Sequence, residues 1–514
     1  MNVKKIICGV FGAVLILTAA GCGGTQAVKV PPAESTGSTE KSPKYVFLFI
    51  GDGMSYPQFQ TASDYLGALA DKDYVKALPS NSYVERGGAV LDGPKSLNFM
   101  DFEVAGSAVT YDLCSFAPDS ASTATSIAAG YKTYSGMINV DITGSTAYET
   151  IAEKLHKQKG WKVGIISSVN INHATPAAFY AHQASRNDYY EIGEELVKSG
   201  FEYFAGGGLK NVTGPSKDKT SLYKLAEEAG YKVTYTQADA EAVTSADKKV
   251  ILIDEHLADS DAMDYEMDRQ KGEWALADYV KKGIEVLDND TGFFMMCEGG
   301  KIDWACHAND AGTTVTDTLA LADAVQVAID FAKERADETL ILVTGDHETG
   351  GMTIGFAGTD YDTYLDSLAN QIISYVQFDK QYVNSYKKNG TSFEDAMNDV
   401  EKLFGLKLSG GKDDRLLLTD YEVQRLRTAY ELAMSDASSK GYTQEQYVLY
   451  GTYNPFSVTV THILNNKSGV DFTSYSHTGL PVAVFADGAG ADAFTGYYDN
   501  TEIYKKMASL LEVK

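Results

Sequence analysis

Short apolar runs that give way to polar loops recur along this chain and constrain its fold more than any other feature. They occupy residues 45–50, 161–166, 293–297, 339–343 and 481–485. Runs of this length predict buried strands, and a polar loop that follows marks a carboxyl end. Helical patterns lie between them, at residues 147–157 and 314–332. This alternation predicts an α/β fold, a three-layer sandwich with a mostly parallel central sheet flanked by helices.

The stretch at about residues 356–471 breaks the alternation. Two pairs of residues there resemble helix-capping boxes, Ser392 with Asp395 and Thr419 with Glu422. Each pair precedes apolar residues at helical spacing. We therefore expect a largely helical insertion within one domain that spans residues 44–514.

The first residues have the pattern of an export signal. Lys4 and Lys5 precede an apolar stretch at 6–20, and Gly21 and Cys22 follow. Residues 1–21 resemble a bacterial lipoprotein signal, after which Cys22 is lipidated; the alternative is an ordinary secretory signal with an incidental Cys. Residues 22–43 predict a flexible polar tether. The protein is therefore expected outside the cytoplasm, anchored to a bacterial membrane by lipid on Cys22.

The charge balance restricts the partners of the protein. The chain has 44 Lys and Arg against 70 Asp and Glu, a net charge of −26. This excess argues against a nucleic-acid-binding role, because phosphate backbones are bound through Lys and Arg. It leaves room for a small anionic substrate held by a local metal cluster. Cys114, Cys297 and Cys306 form no disulfide framework, although Cys297 and Cys306 could pair.

Two motifs suit the binding of a phosphate group. Ser120 opens a run of small residues that ends at Gly130, a pattern typical of a short buried helix. A hydroxyl at the amino end of a helix can act as a nucleophile on a bound phosphate, and the alternative is a serine that only caps the helix. Thr175 and Arg186 form the second motif, in which the guanidinium fork matches the edge of a phosphate.

Acidic and histidine residues cluster next to the predicted strands. Asp303 and His307 have i, i+4 spacing, so on a helix they share a face and could grip one metal or form a surface ion pair. Asp346 and His347 follow a strand and could bind metals or cap a turn. These acidic and histidine side chains would meet at the carboxyl edge of the sheet. So many of them in one place would repel one another or stay unsatisfied unless cations were bound. The full set is Asp52, Glu298, Asp303, His307, Asp346, His347 and His477.

In order and spacing, these motifs resemble those of the alkaline phosphatase family. The resemblance runs from about Lys44 to the C-terminus, and it implies hydrolysis of small phosphomonoesters through a phosphoserine intermediate on Ser120. The matching segments are Gly51-Asp52-Gly53-Met54, Asp119-Ser120-Ala121, Thr175-Pro176, Ser185-Arg186, Glu298-Gly-x-x-Ile-Asp303-x-x-x-His307, Asp346-His347-Glu348-Thr-Gly-Gly351 and His477-Thr-Gly479.

The same resemblance implies two Zn²⁺ ions and one Mg²⁺ ion. Ser120, Arg186 and Trp304 would contact the phosphate. The implied metal ligands fall into three groups: Asp303, His307 and His477 for the first zinc; Asp52, Asp346 and His347 for the second zinc; and Asp52, Thr175 and Glu298 for the third metal.

Two positions depart from the pattern of some family members. His173 stands where some have Asp, and Trp304 stands where some have Lys, while other members carry this His and Trp. An imidazole beside the third site could admit Co²⁺ or Zn²⁺ in place of Mg²⁺. Trp304 either lines the phosphate pocket or packs in the core. His462, fifteen residues before His477, is either structural or close to the site.

Two other activities stay open at this point. A diesterase side activity is compatible with the motifs, because the shape of the pocket depends on the insertion. A surface lipoprotein that binds phosphate or metal without turnover belongs to a different functional class. Family members are often homodimers, so a homodimer is the assembly expected by analogy.

Overall fold

A computed structural model describes residues 42–71, 90–411 and 414–514. The expected signal at 1–21, the lipidation site Cys22 and the tether up to residue 41 lie outside the described residues, so these remain predictions. None of the described helices combines the length and the apolar character needed to cross a bilayer.

Within the described residues, ten strands form one central sheet, and the predicted α/β class is confirmed. Their order across the sheet is β14-β2-β13-β8-β1-β7-β3-β4-β6-β5, and short ribbons pair β9 with β12 and β10 with β11. The strands are β1 (Tyr45–Gly51), β2 (Val104–Val109), β3 (Lys162–Asn170), β4 (Tyr203–Gly207), β5 (Lys232–Thr234), β6 (Val250–Ile253), β7 (Phe293–Gly299), β8 (Thr339–Gly345), β9 (Glu348–Thr349), β10 (Thr353–Ile354), β11 (Val470–Asp471), β12 (His477–Thr478), β13 (Val482–Gly488) and β14 (Gly496–Asp499).

Helices cover both faces of this sheet. Short 3₁₀ segments connect some of the described helices, as do two π-helical turns at Leu155–Lys159 and Asp379–Val383. The helices are α1 (Tyr56–Ala70), α2 (Ser120–Ala129), α3 (Ile151–Lys154), α4 (Ala174–Ala177), α5 (Tyr189–Ser199), α6 (Leu222–Glu228), α7 (Gln237–Glu241), α8 (Leu276–Leu287), α9 (Lys301–His307), α10 (Ala311–Ala332), α11 (Tyr375–Phe378), α12 (Asn384–Asn389), α13 (Phe393–Phe404), α14 (Asp420–Met434), α15 (Gln444–Tyr450), α16 (Pro455–Ser468) and α17 (Thr501–Leu510).

The central strand β1 explains the three layers. All seven of its residues are buried, and successive side chains of a strand point to opposite faces. Phe47 and Phe49 join the core that contains residues of α1, α8 and α10. Leu48 and Ile50 join a second core, with residues of α2, α5 and α17. A continuous apolar run is therefore needed, because β1 packs against helices on both sides.

The direction of β13 differs from the mostly parallel series. It pairs antiparallel with both β8 and β2, with Val484 opposite Thr344 of β8. Its amino end therefore lies beside the carboxyl end of β8. As a result, His477, which precedes β13 in the chain, reaches the same edge of the sheet as residues that follow the parallel strands.

Between β10 and β11 the described residues form the six helices α11–α16. Ser392 accepts a hydrogen bond from the Asp395 amide, and Thr419 forms a reciprocal capping box with Glu422. Phe456 of α16 belongs to the same buried cluster as Phe47 of the central sheet. The insertion thus packs onto the main core, next to the edge where the polar residues gather.

The cysteines do not form the disulfide that the sequence left open. Cys297 and Cys306 are both buried and free, and Cys114 is exposed and free. Cys297 is on β7, whereas Cys306 is on α9. The Cys306 thiol instead lies 3.6 Å from the Thr314 hydroxyl.

Candidate active site

Helix α2 places Ser120 in the interior at the carboxyl edge of the sheet. The cap of this helix is Asp119, whose side chain accepts from the Ser122 amide. Ser120 is therefore the first helical residue, and the alternative that it only caps the helix is wrong. All ten residues of α2 are buried, which explains why all of them except Ile127 have small side chains. Because Asp119 caps the helix, the Ser120 hydroxyl is not used as a cap and lies at the positive end of the helix dipole.

Two ligand-type side chains contact the Ser120 hydroxyl, and a third lies beside them. Its oxygen lies 3.0 Å from His347 Nε2 and 3.5 Å from Asp52 Oδ1. His347 Nε2 in turn lies 3.2 Å from Asp52 Oδ1 and 3.4 Å from Asp346 Oδ2. Asp346 also accepts hydrogen bonds from the Gly53 amide and the Thr123 hydroxyl. Asp52, Asp346 and His347 form a group able to hold one metal ion, completely buried.

A second group faces the first one. Asp303 and His307 share a face of α9, with 3.3 Å between His307 Nε2 and Asp303 Oδ1. His477 Nε2 lies 3.2 Å from His307 Nε2. Both histidines donate through Nδ1 to carbonyl groups, His307 to Tyr475 at 2.6 Å and His477 to Pro118 at 2.5 Å. Their Nε2 atoms are therefore the ones left to bind a metal. Asp303 is 4% exposed, so this is not a surface ion pair.

The third group lies on the other side of Asp52. Ligand atoms of Asp52, His173 and Glu298 lie within 4.8 Å of one another. Asp52 Oδ2, Glu298 Oε1, Thr175 Oγ1 and His173 Nδ1 are all buried and have no hydrogen-bond partner. Buried polar atoms without partners are costly. Three oxygens and a nitrogen in this state are the donor set that a divalent cation would satisfy.

Arg186 lies beside the nucleophile helix. Its guanidinium donates to Asp119 Oδ2 at 2.9 Å, and another of its nitrogens lies 3.5 Å from His173 Nε2. The Trp304 ring meets the His173 ring edge-on at 6.1 Å. Trp304 is partly buried and lies 4.8 Å from the Lys301 ammonium. The structure thus places the cationic fork and the indole next to the third group.

The electrostatics of the site reflect crowded acidic groups. Burial, together with the charges of Asp346, Asp303 and Glu298, raises the pKa of Asp52 well above its usual range. Burial and the charge of Asp346 raise the pKa of Glu298 to about 8. Burial lowers the pKa of His477 to about 3, with a contribution from His347. Cations in the pocket would relieve the repulsion between these carboxylates.

Sequence reasoning missed several residues that hold the ligands. The Thr349 hydroxyl donates to Asp303 Oδ1 at 2.6 Å and lies 3.2 Å from His347 Nδ1, so it joins the first two groups. The Ser167 hydroxyl donates to Glu298, and Asp119 orients Arg186. The only signal in the sequence was position, because Thr349 follows His347 by two residues and Ser167 follows an apolar run.

His462 lies close to the site without joining the three groups. Its Nε2 donates to Asn309 Oδ1 at 3.2 Å, and its ring lies 6.0 Å from the ring of Tyr475. Asn309 is two residues beyond His307 and donates to the carbonyl of Ser474 at 2.8 Å. His462 is therefore part of the layer behind the ligands.

Comparisons with known proteins agree with this geometry. A family model described as alkaline phosphatase matches residues 43–513. Alkaline phosphatase 3 of Bacillus subtilis is 30% identical over 478 residues, covering 91% of this chain and 89% of that protein. Alkaline phosphatase 4 of the same organism is 28% identical over 499 residues, covering 95% of this chain and 93% of that protein.

Solved structures give the same result. The cold-active alkaline phosphatase of a psychrophilic Shewanella species superposes with a TM-score of 0.70 at 26% identity, covering 91% of this chain and 99% of that chain. The Thermus thermophilus alkaline phosphatase has the same fold, with a TM-score of 0.71 at 22% identity over 94% of this chain and 96% of its own. The chain therefore belongs to the alkaline phosphatase family, and it is a metal-dependent phosphomonoesterase.

Proposed function

We propose that this enzyme hydrolyses phosphomonoesters in two steps through a phosphoserine on Ser120. The observation that carries the proposal is the position of the Ser120 hydroxyl. It is 2% exposed, opens α2, and lies within 3.5 Å of both Asp52 and His347. A hydroxyl buried among ligand-type side chains has no evident structural use, since Asp119 already caps the helix.

The residues of the chain divide the reaction between them. The amino end of α2 and the guanidinium of Arg186 bind the phosphoryl oxygens. Asp119 holds Arg186 in place through the 2.9 Å ion pair. Ser120 attacks phosphorus, the ester oxygen leaves as the alcohol, and a phosphoserine forms. Water then attacks phosphorus and releases inorganic phosphate, which restores the Ser120 hydroxyl.

Three cations fit the residues present. The unpartnered oxygens of Asp52, Thr175 and Glu298 and the facing Nε2 atoms of His307 and His477 are donors without another use. We assign Asp303, His307 and His477 to one Zn²⁺, Asp52, Asp346 and His347 to another, and Asp52, Thr175 and Glu298 to the third ion. When bound, such ions lower the pKa of a hydroxyl and stabilise charge on the transferring phosphoryl group.

The third site is the one whose metal is open to tuning. Carboxylates and a threonine hydroxyl suit Mg²⁺, whereas the His173 imidazole suits Co²⁺ or Zn²⁺. Two solved structures of TAB5 alkaline phosphatase are of variants in which a histidine is replaced by glutamate or aspartate, with Mg bound in the M3 site. We propose that His173 shifts the third site of this enzyme toward Co²⁺ or Zn²⁺.

The lipid anchor, the location outside the cytoplasm and the homodimer remain proposals as well. The leader pattern at residues 1–21 supports the first two. Metabolic labelling with palmitate tests them, since label should appear on the full-length protein and disappear in Cys22→Ala. Light scattering of the purified enzyme tests the dimer.

The function is tested by hydrolysis of a chromogenic phosphomonoester with and without a chelator. Ser120→Ala should reduce kcat by several orders of magnitude while metal content stays normal, because the hydroxyl is not needed to hold the ligands. Ser126→Ala is a matched control, since Ser126 lies on the same helix, is equally buried and hydrogen-bonds to backbone carbonyls. Equal losses in both variants would contradict the assignment.

A further inference from the structure

The ammonium of Lys301 is a buried charge that the account of phosphoryl transfer does not use. Lys301 is the first residue of α9, two positions before the proposed metal ligand Asp303. Its side chain is completely buried, and lysine is almost never fully buried unless its charge is paired. The contacts of this ammonium therefore indicate what holds it inside the protein.

A carboxylate and two aromatic rings surround the Lys301 ammonium. Its Nζ donates to Asp259 Oδ1 at 2.7 Å. The same nitrogen lies 3.7 Å from the centroid of the Tyr265 ring and 4.8 Å from that of the Trp304 ring. Cations within about 6 Å of the face of an aromatic ring are attracted to it, and tryptophan attracts them most strongly. The ammonium therefore holds the Trp304 indole in a fixed place relative to Tyr265.

Strained backbone delivers Asp259 to this ammonium. Ser260 and Asp261, which follow it, have φ angles of 56° and 62°, in the left-handed region that residues other than glycine rarely adopt. The side-chain amide of Asn170 donates to both of their carbonyl groups, at 2.8 and 3.2 Å. Strain of this kind persists only where the surrounding structure enforces it. The turn is therefore held in the shape that presents the Asp259 carboxylate to Lys301.

Trp304 connects Lys301 to the phosphate-binding side of the site. The two residues are three apart on α9, so their side chains are neighbours on the helix. The Trp304 ring meets the His173 ring edge-on at 6.1 Å. His173 Nε2 in turn lies 3.5 Å from a guanidinium nitrogen of Arg186. Displacement of the indole would therefore remove a packing partner of His173 beside the guanidinium.

We propose that Lys301, anchored by Asp259, is a positioning residue that fixes Trp304 and thereby sets the phosphate affinity of the site. The inference rests on the proposed function, in which Arg186 binds the phosphoryl oxygens. The ammonium acts through the indole and the His173 ring, and the nucleophile keeps its own contacts when the ammonium is lost. KM and inhibition by phosphate should therefore change more than kcat.

Lys301→Met tests the proposal, because methionine keeps an unbranched apolar side chain and removes the ammonium. The inhibition constant of inorganic phosphate should rise about three- to tenfold, within the range that the strength of a cation–π contact gives. Lys282→Met is the matched control. Lys282 lies on α8, is only 11% exposed, pairs with Glu285 and donates to the carbonyl of Val243.

The fluorescence of Trp304 gives a readout that is specific to positioning. The chain has three tryptophans, so replacing Trp161 and Trp274 by phenylalanine leaves Trp304 as the single tryptophan. In that background, Lys301→Met should lower the emission anisotropy of Trp304, because the indole loses its fixed cation and moves more freely. Lys282→Met should leave the anisotropy unchanged.

The outcomes separate this inference from the proposed function. Weaker phosphate inhibition together with lower Trp304 anisotropy in Lys301→Met, and neither change in Lys282→Met, supports positioning. Unchanged inhibition in a variant that circular dichroism shows to be folded would overturn it. Weaker inhibition with unchanged anisotropy would overturn it as well, because the effect would then not pass through Trp304.

A second variant covers the case in which Lys301→Met does not fold. Asp259 is partly exposed, so Asp259→Asn removes the anchor of the ammonium with less risk to folding. The same two changes are expected in Asp259→Asn, and the absence of both would overturn the inference. If the unmodified enzyme neither hydrolysed phosphomonoesters nor bound phosphate, the proposed function itself would fail.

Discussion

The hydroxyl of Thr349 offers the sharpest test of how the ligand groups are held. It donates to Asp303 Oδ1 at 2.6 Å and receives a hydrogen bond from His347 Nδ1 at 3.2 Å. Thr349→Val keeps the shape and removes both interactions. A hydrogen bond to a charged group contributes about 1.5–3 kcal/mol, and tenfold in affinity is about 1.4 kcal/mol. We therefore expect Zn²⁺ affinity to fall roughly 10–100-fold, the usual range for partners of metal ligands.

The assay is a competition titration of the metal-free enzyme with Zn²⁺ and a chromogenic chelator. Activity at buffered free Zn²⁺ should show the same shift, with kcat largely recovered at saturating metal. Thr349→Ser should behave like the unmodified enzyme because it keeps the hydroxyl. Thr353→Val is the matched control, since Thr353 is exposed and its hydroxyl only reaches backbone carbonyls. Zn²⁺ affinity in Thr349→Val equal to that of the control would refute the reasoning.

Three further predictions concern the phosphate, the third metal and pH. Arg186→Ala should cost about 2–4 kcal/mol in kcat/KM and weaken inhibition by inorganic phosphate, because a charge-assisted fork is lost; unchanged inhibition would contradict this. His173→Asp with Trp304→Lys should shift activation from Co²⁺ toward Mg²⁺, and the double variant should differ from the sum of the singles; identical responses in all four proteins of the cycle would rule out tuning by these residues. The pKa of Glu298, raised by burial to about 8, means that the folded metal-free state binds an extra proton between pH 4.5 and 8. The contribution of Glu298 to the free energy of unfolding therefore falls as pH rises through that window. The Tm of the metal-free enzyme should therefore fall with rising pH relative to the Tm of Glu298→Gln. Parallel curves of Tm against pH for the two proteins would refute the raised pKa.

The central strands were predictable because burial on both faces requires unbroken apolar runs. The run at 45–50 corresponds to β1, and Asp52 follows it as a loop residue does in a parallel sheet. The direction of β13 was not predictable, since five apolar residues fit either direction. Strand β14 was missed because Tyr497 is 68% exposed and the segment has no apolar run.

The gathering of the site residues was predictable to the extent that strand ends define an edge. Asp52 follows β1, Glu298 lies within β7, and Asp346 follows β8. These three strands are adjacent in the sheet. The supporting contacts were not predictable, because Thr349 and Ser167 are ordinary polar residues until the fold brings their partners close. Likewise, both Asp119 and Ser120 are residue types that cap helices, and only the backbone shows that Asp119 is the cap.

The central claim is that Ser120 carries the phosphoryl group, and rapid acid quench tests it most directly. Enzyme mixed with ³²P-labelled phosphomonoester and quenched in acid within one turnover should yield labelled protein, and peptide mapping should place the label on Ser120. The Ser120→Ala variant, quenched in the same way, should carry none. Product release by the unmodified enzyme without any label on Ser120 would contradict the account.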